Sequence, residues 1–253
     1  MTELQTRFTT EGLVIKEMSV GESDRLVTLF TRDYGIIKAF APGVKSVKSK
    51  RAPATALLTY SSFSIQKRGD IYRIYEASPI TAFFTLDGDI AVITICQYFC
   101  ELAGEFGESG NPNTELLRLI LNSLHFLVKE KRQPELIKAI TELRVAVISG
   151  YMPDLVACPV CGKFEDDVMY FSLRDGSLRC KDCPKGNDEV AVDRTLLSAL
   201  RHISFSQLGK LYSFEIPVES ARRLSKITSG YLTMQTEHRF SALEFYNNYV
   251  LSE

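Results

Sequence analysis

Four cysteines in two closely spaced pairs constrain this sequence more than any other feature. Cys158 and Cys161 form the first pair, and Cys180 and Cys183 form the second, with two residues inside each pair. This C-x2-C…C-x2-C pattern is typical of a four-thiolate zinc site, because two thiolates at that spacing can bind one tetrahedral Zn²⁺ at about 2.3 Å. Gly162 follows the first pair and permits the tight turn that such a site needs. We therefore predict one zinc ion held by all four cysteines.

The segment between the two cysteine pairs predicts a β-hairpin. Segments 170–173 and 177–179 are rich in strand-forming residues, and Asp175-Gly176 supplies a hairpin turn between them. A hairpin flanked by two cysteine turns is a zinc ribbon, which we place at residues 154–190. Four thiolates leave no coordination position for water or substrate, so the zinc is expected to be structural. An iron–sulfur cluster is the alternative that four cysteines leave open.

The first part of the chain, residues 1–80, reads as short strands separated by turns. Glycine-containing turns at 21–24, 32–35, 42–43 and 67–70 divide it, and the segments between them are rich in β-branched and aromatic residues. Five strands without a long helix suit a small closed barrel, for which the five-stranded oligonucleotide-binding (OB) fold is the commonest candidate. Counting strands does not exclude an SH3-like barrel.

Residues 81–253 predict a helical domain that the zinc ribbon interrupts. After Pro79 the apolar residues recur at helical spacing, and Asp87 or Asp89 can cap a helix from Ile90 to about Phe106. Further helices are expected to begin near residues 114, 134, 194, 218 and 241. The predicted fold class is therefore α+β and multidomain, with an N-terminal barrel followed by an all-α domain carrying the ribbon.

Charge is distributed unevenly along the chain, although the net charge is only −1. Residues 1–81 hold 12 Lys or Arg against 8 Asp or Glu, and residues 34–69 hold no acidic residue. A basic tract of this kind inside a nearly neutral protein favours a polyanion as partner. A solvated loop that keeps the protein in solution is the simpler alternative.

Several function classes lack their sequence signals. The chain has no phosphate-binding G-x-x-x-x-G-K-[ST] loop, no G-x-S-x-G and no H-E-x-x-H, and its three histidines are far apart. We therefore expect no enzyme. The N-terminus lacks the apolar run of a signal peptide, and the most apolar stretch, 90–103, is too short to span a membrane. We expect a soluble intracellular protein whose remaining cysteines, Cys96 and Cys100, are buried free thiols.

The order of these features resembles the RecO family of bacterial DNA repair proteins over essentially the whole chain. Residues 11–15 look like the family's opening strand, and 21–26 and 30–35 resemble its first two turns. Cys158-Pro-Val-Cys161-Gly matches its zinc knuckle. The turns alone carry little weight, but their order together with the ribbon is specific.

The resemblance implies a recombination mediator without enzymatic turnover, located in the cytoplasm with the nucleoid. Family members bind single- and double-stranded DNA and anneal complementary strands. They act with the partner RecR to load the RecA recombinase onto DNA coated by single-strand-binding protein. They also recognise the acidic C-terminal tail of that coating protein, for which we expect an apolar groove with a basic rim among the helices. The alternative is an interaction protein that docks acidic tails and binds DNA only incidentally.

Basic side chains are the candidates for contacts with DNA phosphates, because they give affinity without sequence preference. The expected residues are Arg25, Lys38, Lys45, Lys48, Lys50, Arg51, Lys67, Arg68, Arg174 and Arg179. Arg25 either contacts DNA or braces its turn. The family's loop is usually richer in basic residues where Pro42 and Ser46 stand here. We hypothesise that the loop holds one strand and that the two ribbon arginines hold the second. Tyr60, Phe63 and Tyr72 are candidates for base stacking.

Overall fold

The computed structural model describes residues 6–46, 48–69, 71–84, 89–183, 186 and 188–250. Contacts divide the chain into two compact units. The first combines residues 1–129 with 241–253, and the second comprises 130–240. This division differs from the boundary predicted at residue 80, and the predicted domains stay a prediction.

The first unit contains a closed barrel of five strands. The strands are β1 (Thr6–Val20), β2 (Asp24–Thr31), β3 (Gly35–Ala41), β4 (Thr59–Arg68) and β5 (Ile71–Ala82), in the order β1-β2-β3-β5-β4. The long β1 pairs with β2 through its second half and with β4 through its first half. A short parallel pairing between β3 and β5, at Ala39–Tyr72 and Phe40–Arg73, closes the barrel. The predicted OB-like barrel is thereby confirmed.

Apolar side chains on alternate strand positions fill the interior of the barrel. Val27, Leu29, Ile65 and Ile74 are almost fully buried in this core, as is Phe63. Burial of each such side chain is worth about 1.5–3 kcal/mol. Phe63 therefore belongs to the core and offers no free ring face for base stacking.

In the described part of the first unit, three α-helices accompany the barrel: α1 (Ile90–Phe106), α2 (Thr114–Leu124) and α6 (Ser241–Phe245). The side chain of Asp89 accepts a hydrogen bond from the backbone N–H of Ala91 and caps α1 as predicted, whereas Asp87 lies outside the described residues. The Glu101 carboxylate on α1 accepts the backbone N–H of Ala242 at 3.1 Å, so α6 is fixed against α1. The helical segment 241–250 thus returns to the first unit.

The described residues of the second unit form three α-helices and the ribbon. The helices are α3 (Pro134–Ile148), α4 (Arg194–Phe205) and α5 (Val218–Thr236), and the ribbon strands are β6 (Val168–Ser172), β7 (Leu178–Cys180) and β8 (Glu189–Asp193). The predicted hairpin is β6–β7, and Gly176 in its turn has the positive φ (+66°) that glycine tolerates best. The sequence analysis did not identify β8, which pairs with the other side of β6. Among the described residues, no helix is long and apolar enough to cross a membrane.

Candidate functional site

The four predicted metal ligands meet at the end of the ribbon. The Sγ atoms of Cys158, Cys161, Cys180 and Cys183 all lie within 4.8 Å of one another, and those of Cys161 and Cys180 are 3.6 Å apart. Tetrahedral coordination with Zn–S bonds of about 2.3 Å places the sulfurs about 3.8 Å apart. The residues present therefore fit a tetrahedral metal ion.

Backbone hydrogen bonds shape the first cysteine turn before any metal is considered. The N–H of Gly162 donates to the carbonyl of Cys158 at 2.8 Å, and the N–H of Cys158 donates to the carbonyl of Lys163 at 2.9 Å. Gly162 adopts a φ of +75°, a region that side-chain-bearing residues rarely occupy. The glycine after the cysteine pair is thus required by the turn itself, as the sequence predicted.

The four thiols perturb one another's ionisation. Desolvation opposes ionisation of Cys158, but hydrogen bonds from the backbones of Cys180, Cys161 and Val160 outweigh it and lower its pKa to about 6. Hydrogen bonds with Cys180 and Cys161 raise the pKa of Cys183 to about 12. Four sulfurs this close cannot all carry a negative charge unless a cation lies between them. The site is therefore built for a cation that all four thiolates would enclose.

Lys163 ties the two cysteine turns together. Its Nζ lies 3.0 Å from a carboxylate oxygen of Asp166 and 2.9 Å from one of Asp182, which stands inside the second pair. These contacts raise the pKa of Lys163. The ion pair restrains the spacing of the two turns, although exposed pairs of this kind contribute little to overall stability.

Six of the predicted DNA-contacting residues place exposed cationic side chains on the barrel. Lys38 stands on β3, and Lys67 and Arg68 end β4. The loop between β3 and β4 carries Lys45, Lys48 and Lys50. The backbone N–H of Lys45 donates to the carbonyl of Ser23 at 2.9 Å, which ties this loop to the turn between β1 and β2.

Arg51 directs its guanidinium into the protein. Its two terminal nitrogens donate to the carbonyls of Pro42 (2.7 Å), Ile74 (2.9 Å) and Tyr75 (3.3 Å). Both ends of the basic loop are thereby fixed to β5. The structure gives Arg51 a bracing role, and its predicted contact with DNA has no geometric support here.

Arg25 is also occupied by contacts within the barrel unit. Its Nη1 lies 3.3 Å from the Glu17 carboxylate and donates to the carbonyl of Ala52 and the hydroxyl of Thr55. Of the two roles left open by the sequence, this geometry favours bracing. Arg25 and Arg51 together hold the segment from which the three loop lysines extend.

The two ribbon arginines lie on an acidic element. Arg174 is exposed in the β6–β7 turn, while Arg179 is half-buried and donates to Ser177 Oγ at 3.1 Å and to the Leu178 carbonyl at 3.2 Å. Residues 154–190 carry eight acidic and five basic side chains. Phosphate attraction to this ribbon is weaker than to the basic loop, and the second-strand hypothesis stays untested.

The remaining stacking candidates have different surroundings. The Tyr60 hydroxyl donates to Glu11 at 2.8 Å, and burial raises its pKa. Tyr72 is half-buried and packs against the barrel core, and the Lys67 Nζ lies 5.3 Å from its ring centroid. The ring centroid of Phe8 lies 6.3 Å from that of Tyr72 and 4.3 Å from that of Tyr34, and the sequence analysis selected neither Phe8 nor Tyr34. Only the position of Tyr34 in a predicted turn signalled an exposed aromatic residue.

The second unit has a groove of about 430 Å³ beside α4. Its lining combines apolar side chains with an arginine, a histidine and two hydroxyl groups, and one acidic residue stands among them. The lining residues are Arg194, Thr195, Ser198, Ala199, His202, Phe214, Glu215 and Ile216. Arg194 also pairs with Asp167 at 3.1 Å, and the expected groove for an acidic tail stays a prediction.

Comparison with known proteins covers nearly the whole chain. The family model described as recombination protein O N terminal matches residues 3–83, and the model for recombination protein O C terminal matches residues 87–244. A protein of Acetivibrio thermocellus named DNA repair protein RecO is 32% identical over 93% of this chain and 94% of its own length. A protein of the same name from Caldicellulosiruptor bescii is 30% identical over 94% of this chain and 96% of its own.

Proposed function

Because the chain belongs to the RecO family of DNA repair proteins, we propose that it is a recombination mediator that binds DNA and anneals complementary strands. It would bind both single- and double-stranded DNA through its barrel. With a partner of the RecR kind it would help to load RecA onto DNA coated by single-strand-binding protein. The role in DNA repair follows from the family, and the individual steps are our proposal.

The observation that carries this proposal is the braced basic loop on an OB-like barrel. Lys45, Lys48 and Lys50 are exposed, while Arg51 and Arg25 hold the backbone of the same loop. Lysines neutralise phosphates and release counterions, which gives affinity for any sequence. A fixed loop presents these charges without first having to be ordered, so less conformational entropy is lost on binding.

Annealing follows from the same charge. Two DNA strands repel each other, and a surface that neutralises phosphates on both lowers that repulsion while leaving the bases free to pair. No covalent bond changes in this process. We accordingly infer a mediator without enzymatic turnover.

The four-cysteine cluster is proposed to hold one structural Zn²⁺. Cys158, Cys161, Cys180 and Cys183 would supply all four ligands, so the metal would crosslink the ribbon and offer no position for substrate. The thiol geometry and the need for a neutralising cation support this. A chain segment with so few strands needs such a crosslink to hold its fold.

The acidic C-terminal tail of single-strand-binding protein is a proposed partner of the helical part. The groove beside α4 supports this, because His202 and Arg194 stand near the apolar side chains of Phe214 and Ile216. A tail with an apolar residue and carboxylates could pack its apolar side chain on Phe214 and Ile216 and place a carboxylate near Arg194. The RecR partnership rests on the family alone.

The experiment that tests the proposal is annealing of two complementary labelled oligonucleotides at two salt concentrations. We expect fast annealing by the wild type, and a loss of at least tenfold in Lys45→Ala/Lys48→Ala/Lys50→Ala. A plot of log affinity for single-stranded DNA against log salt concentration should become less steep in this variant. The slope should change by about 2, because each of the three lost phosphate contacts contributes roughly 0.7.

A variant with the same charge change elsewhere serves as the control. Lys129, Lys210 and Lys226 are also exposed, and their replacement by alanine should leave annealing unchanged. Equal losses in both variants would mean that only net charge matters. A wild type that neither binds nor anneals DNA would refute the mediator function and leave the alternative, a protein that docks acidic tails, as the better account.

A further inference from the structure

Three aromatic rings form a cluster on the barrel, and they are separate from the loop lysines proposed to bind phosphates. The ring centroids of Phe8 and Tyr34 are 4.3 Å apart, and those of Phe8 and Tyr72 are 6.3 Å apart in an edge-to-face arrangement. Phe8 and Tyr72 also pack against the barrel core. Tyr34 leaves 38% of its surface exposed. We call Phe8, Tyr34 and Tyr72 the aromatic cluster.

Tyr34 is exposed, but its backbone is fixed on both sides. Its N–H donates to the Thr31 hydroxyl at 3.1 Å, and its carbonyl accepts the N–H of Gly110 at 3.1 Å. The next residue, Gly35, has a φ of +64°, and a Cβ at that position would lie 2.0 Å from the carbonyl oxygen of Glu108. The backbone of this turn is therefore braced against residues 108–110, while the Tyr34 side chain stays partly exposed.

A cationic side chain lies beside the aromatic cluster. The Lys67 Nζ lies 5.3 Å from the Tyr72 ring centroid. Rings with cations beside them suit a ligand that has both flat π-faces and negative charge.

Two carboxylates of the barrel unit, Asp33 and Glu76, already have cationic partners. Asp33 accepts the Thr10 hydroxyl at 2.8 Å and lies 3.3 Å from Arg32. Glu76 lies 3.0 Å from Arg7. These pairs reduce the repulsion that a phosphate would meet beside the rings.

From this geometry we propose that the aromatic cluster stacks an unpaired base of single-stranded nucleic acid, with Tyr34 as the contacting ring. The inference rests on the proposed DNA binding and assigns a subsite to it. Phe8 packs against both the barrel core and the Tyr34 ring, and Tyr72 in turn contacts Phe8. The lysine loop binds phosphate in any DNA, whereas this subsite recognises a base face that is free.

The subsite distinguishes the single strands that enter annealing from the duplex that leaves it. A base in a duplex stacks on its neighbours and offers no open face to a protein ring, so pairing removes the ligand from Tyr34. Single strands are then held by charge and stacking together, and the duplex product by charge alone. Stacking on Tyr34 therefore adds to the affinity for single strands and adds nothing to the affinity for the duplex product.

Fluorescence anisotropy with three probes tests the subsite in the full-length protein. The probes are an oligothymidine, an abasic strand of the same length and charge, and a duplex. We expect Tyr34→Ala to weaken oligothymidine binding on the order of tenfold, and to leave the abasic strand and the duplex within twofold of wild type. Tyr34→Phe keeps the ring and should retain binding.

Tyr151→Ala is the matched control, because Tyr151 is 37% exposed and lies in the other unit. It should change none of the three affinities. A loss in Tyr34→Ala that is equal for all three probes, or no loss at all, would overturn the subsite.

A second measurement uses the absence of tryptophan from the chain. Tyr34→Trp introduces a single tryptophan, whose fluorescence should be quenched by oligothymidine and not by the abasic strand. If the wild type binds both strands equally and the tryptophan responds to neither, the subsite fails while the proposed function stands. If the wild type binds no DNA, both fail together.

Discussion

The ammonium of Lys138 lies 2.9 Å from the carboxylate of Glu142, one turn further along α3, and both side chains are almost completely buried. Three hydroxyls of α5 complete the network. Thr228 and Ser229 donate to the two oxygens of Glu142 at 2.7 and 2.8 Å, and Lys138 donates to Ser225 at 3.1 Å. The pair is therefore fully hydrogen-bonded across the α3–α5 contact, and it fixes how the two helices align.

Removing one member of this pair should destabilise the second unit strongly. Glu142→Ala leaves the Lys138 ammonium buried without its counter-ion, and we expect a loss of about 3–5 kcal/mol in the free energy of unfolding. Urea denaturation followed by circular dichroism measures it. Lys138→Met/Glu142→Leu removes both charges and should recover most of the loss. A single variant within 1 kcal/mol of wild type would show that the buried charges are not coupled.

The metal content should depend on the four ribbon cysteines alone. Cys161→Ser is expected to lose the one zinc per chain, and amide exchange within 154–183 should become faster, because the metal crosslink is gone. Cys96→Ala is the control: Cys96 lies on α1, where burial raises its pKa to about 12 and makes it a poor ligand. Elemental analysis gives the metal, and iron with visible absorption in place of zinc would point to the cluster alternative.

Arg51→Ala should act through the loop and not through lost phosphate contact. Without the guanidinium, the carbonyls of Pro42 and Ile74 lose charged donors, and we expect destabilisation of about 1–3 kcal/mol with faster proteolysis of the 42–52 loop. Arg51→Lys should not restore it, since one ammonium cannot span the same carbonyls. An unchanged stability with a smaller salt slope would instead identify Arg51 as a phosphate ligand.

Alanine substitutions at two glycines with nearly the same positive φ distinguish the cost of backbone strain from the cost of a steric clash. Gly43 (φ +65°) has open space where a Cβ would stand, so Gly43→Ala should cost about 1–2 kcal/mol. Gly35 (φ +64°) would place its Cβ against the 108–111 backbone, so Gly35→Ala should cost clearly more and displace Tyr34. Thermal unfolding of the two variants measures the difference. Equal losses of stability in the two variants would show that the 108–111 backbone moves aside for the added Cβ at little cost.

Local sequence patterns predicted the elements of this protein well. Spacing alone identified the four cysteines, since a metal knuckle needs ligands two residues apart with a glycine beyond them. Turn glycines and β-branched runs identified the barrel strands, and Asp89 was one of the two candidate caps of α1. In each case the physical cause lies within a few residues of its effect.

The contacts that pattern reasoning missed join residues far apart in the sequence. Phe8 meets Tyr34 because the pairing of Gly12 with Thr31 brings the start of β1 beside the turn after β2. Arg51 reaches the carbonyl of Ile74 because β5 passes the loop. Sequence reasoning treated Arg51 as one more cation in a basic run. Whether a guanidinium points outward or inward depends on which backbone carbonyls the tertiary fold leaves unpaired beside it. Those carbonyls cannot be identified from the local sequence.

The return of α6 to α1 has a consequence for synthesis on the ribosome. A chain emerges from its N-terminus, and domains tend to fold as they emerge. Here the α1 surface around Glu101 is not covered by Ser241 and Ala242 until the whole of 130–240 has been made. The second unit is continuous and can fold during translation, whereas the first is complete only after α6 has been made. In a nascent chain stalled before residue 241, the Glu101 carboxylate on α1 therefore lacks its contact with Ala242.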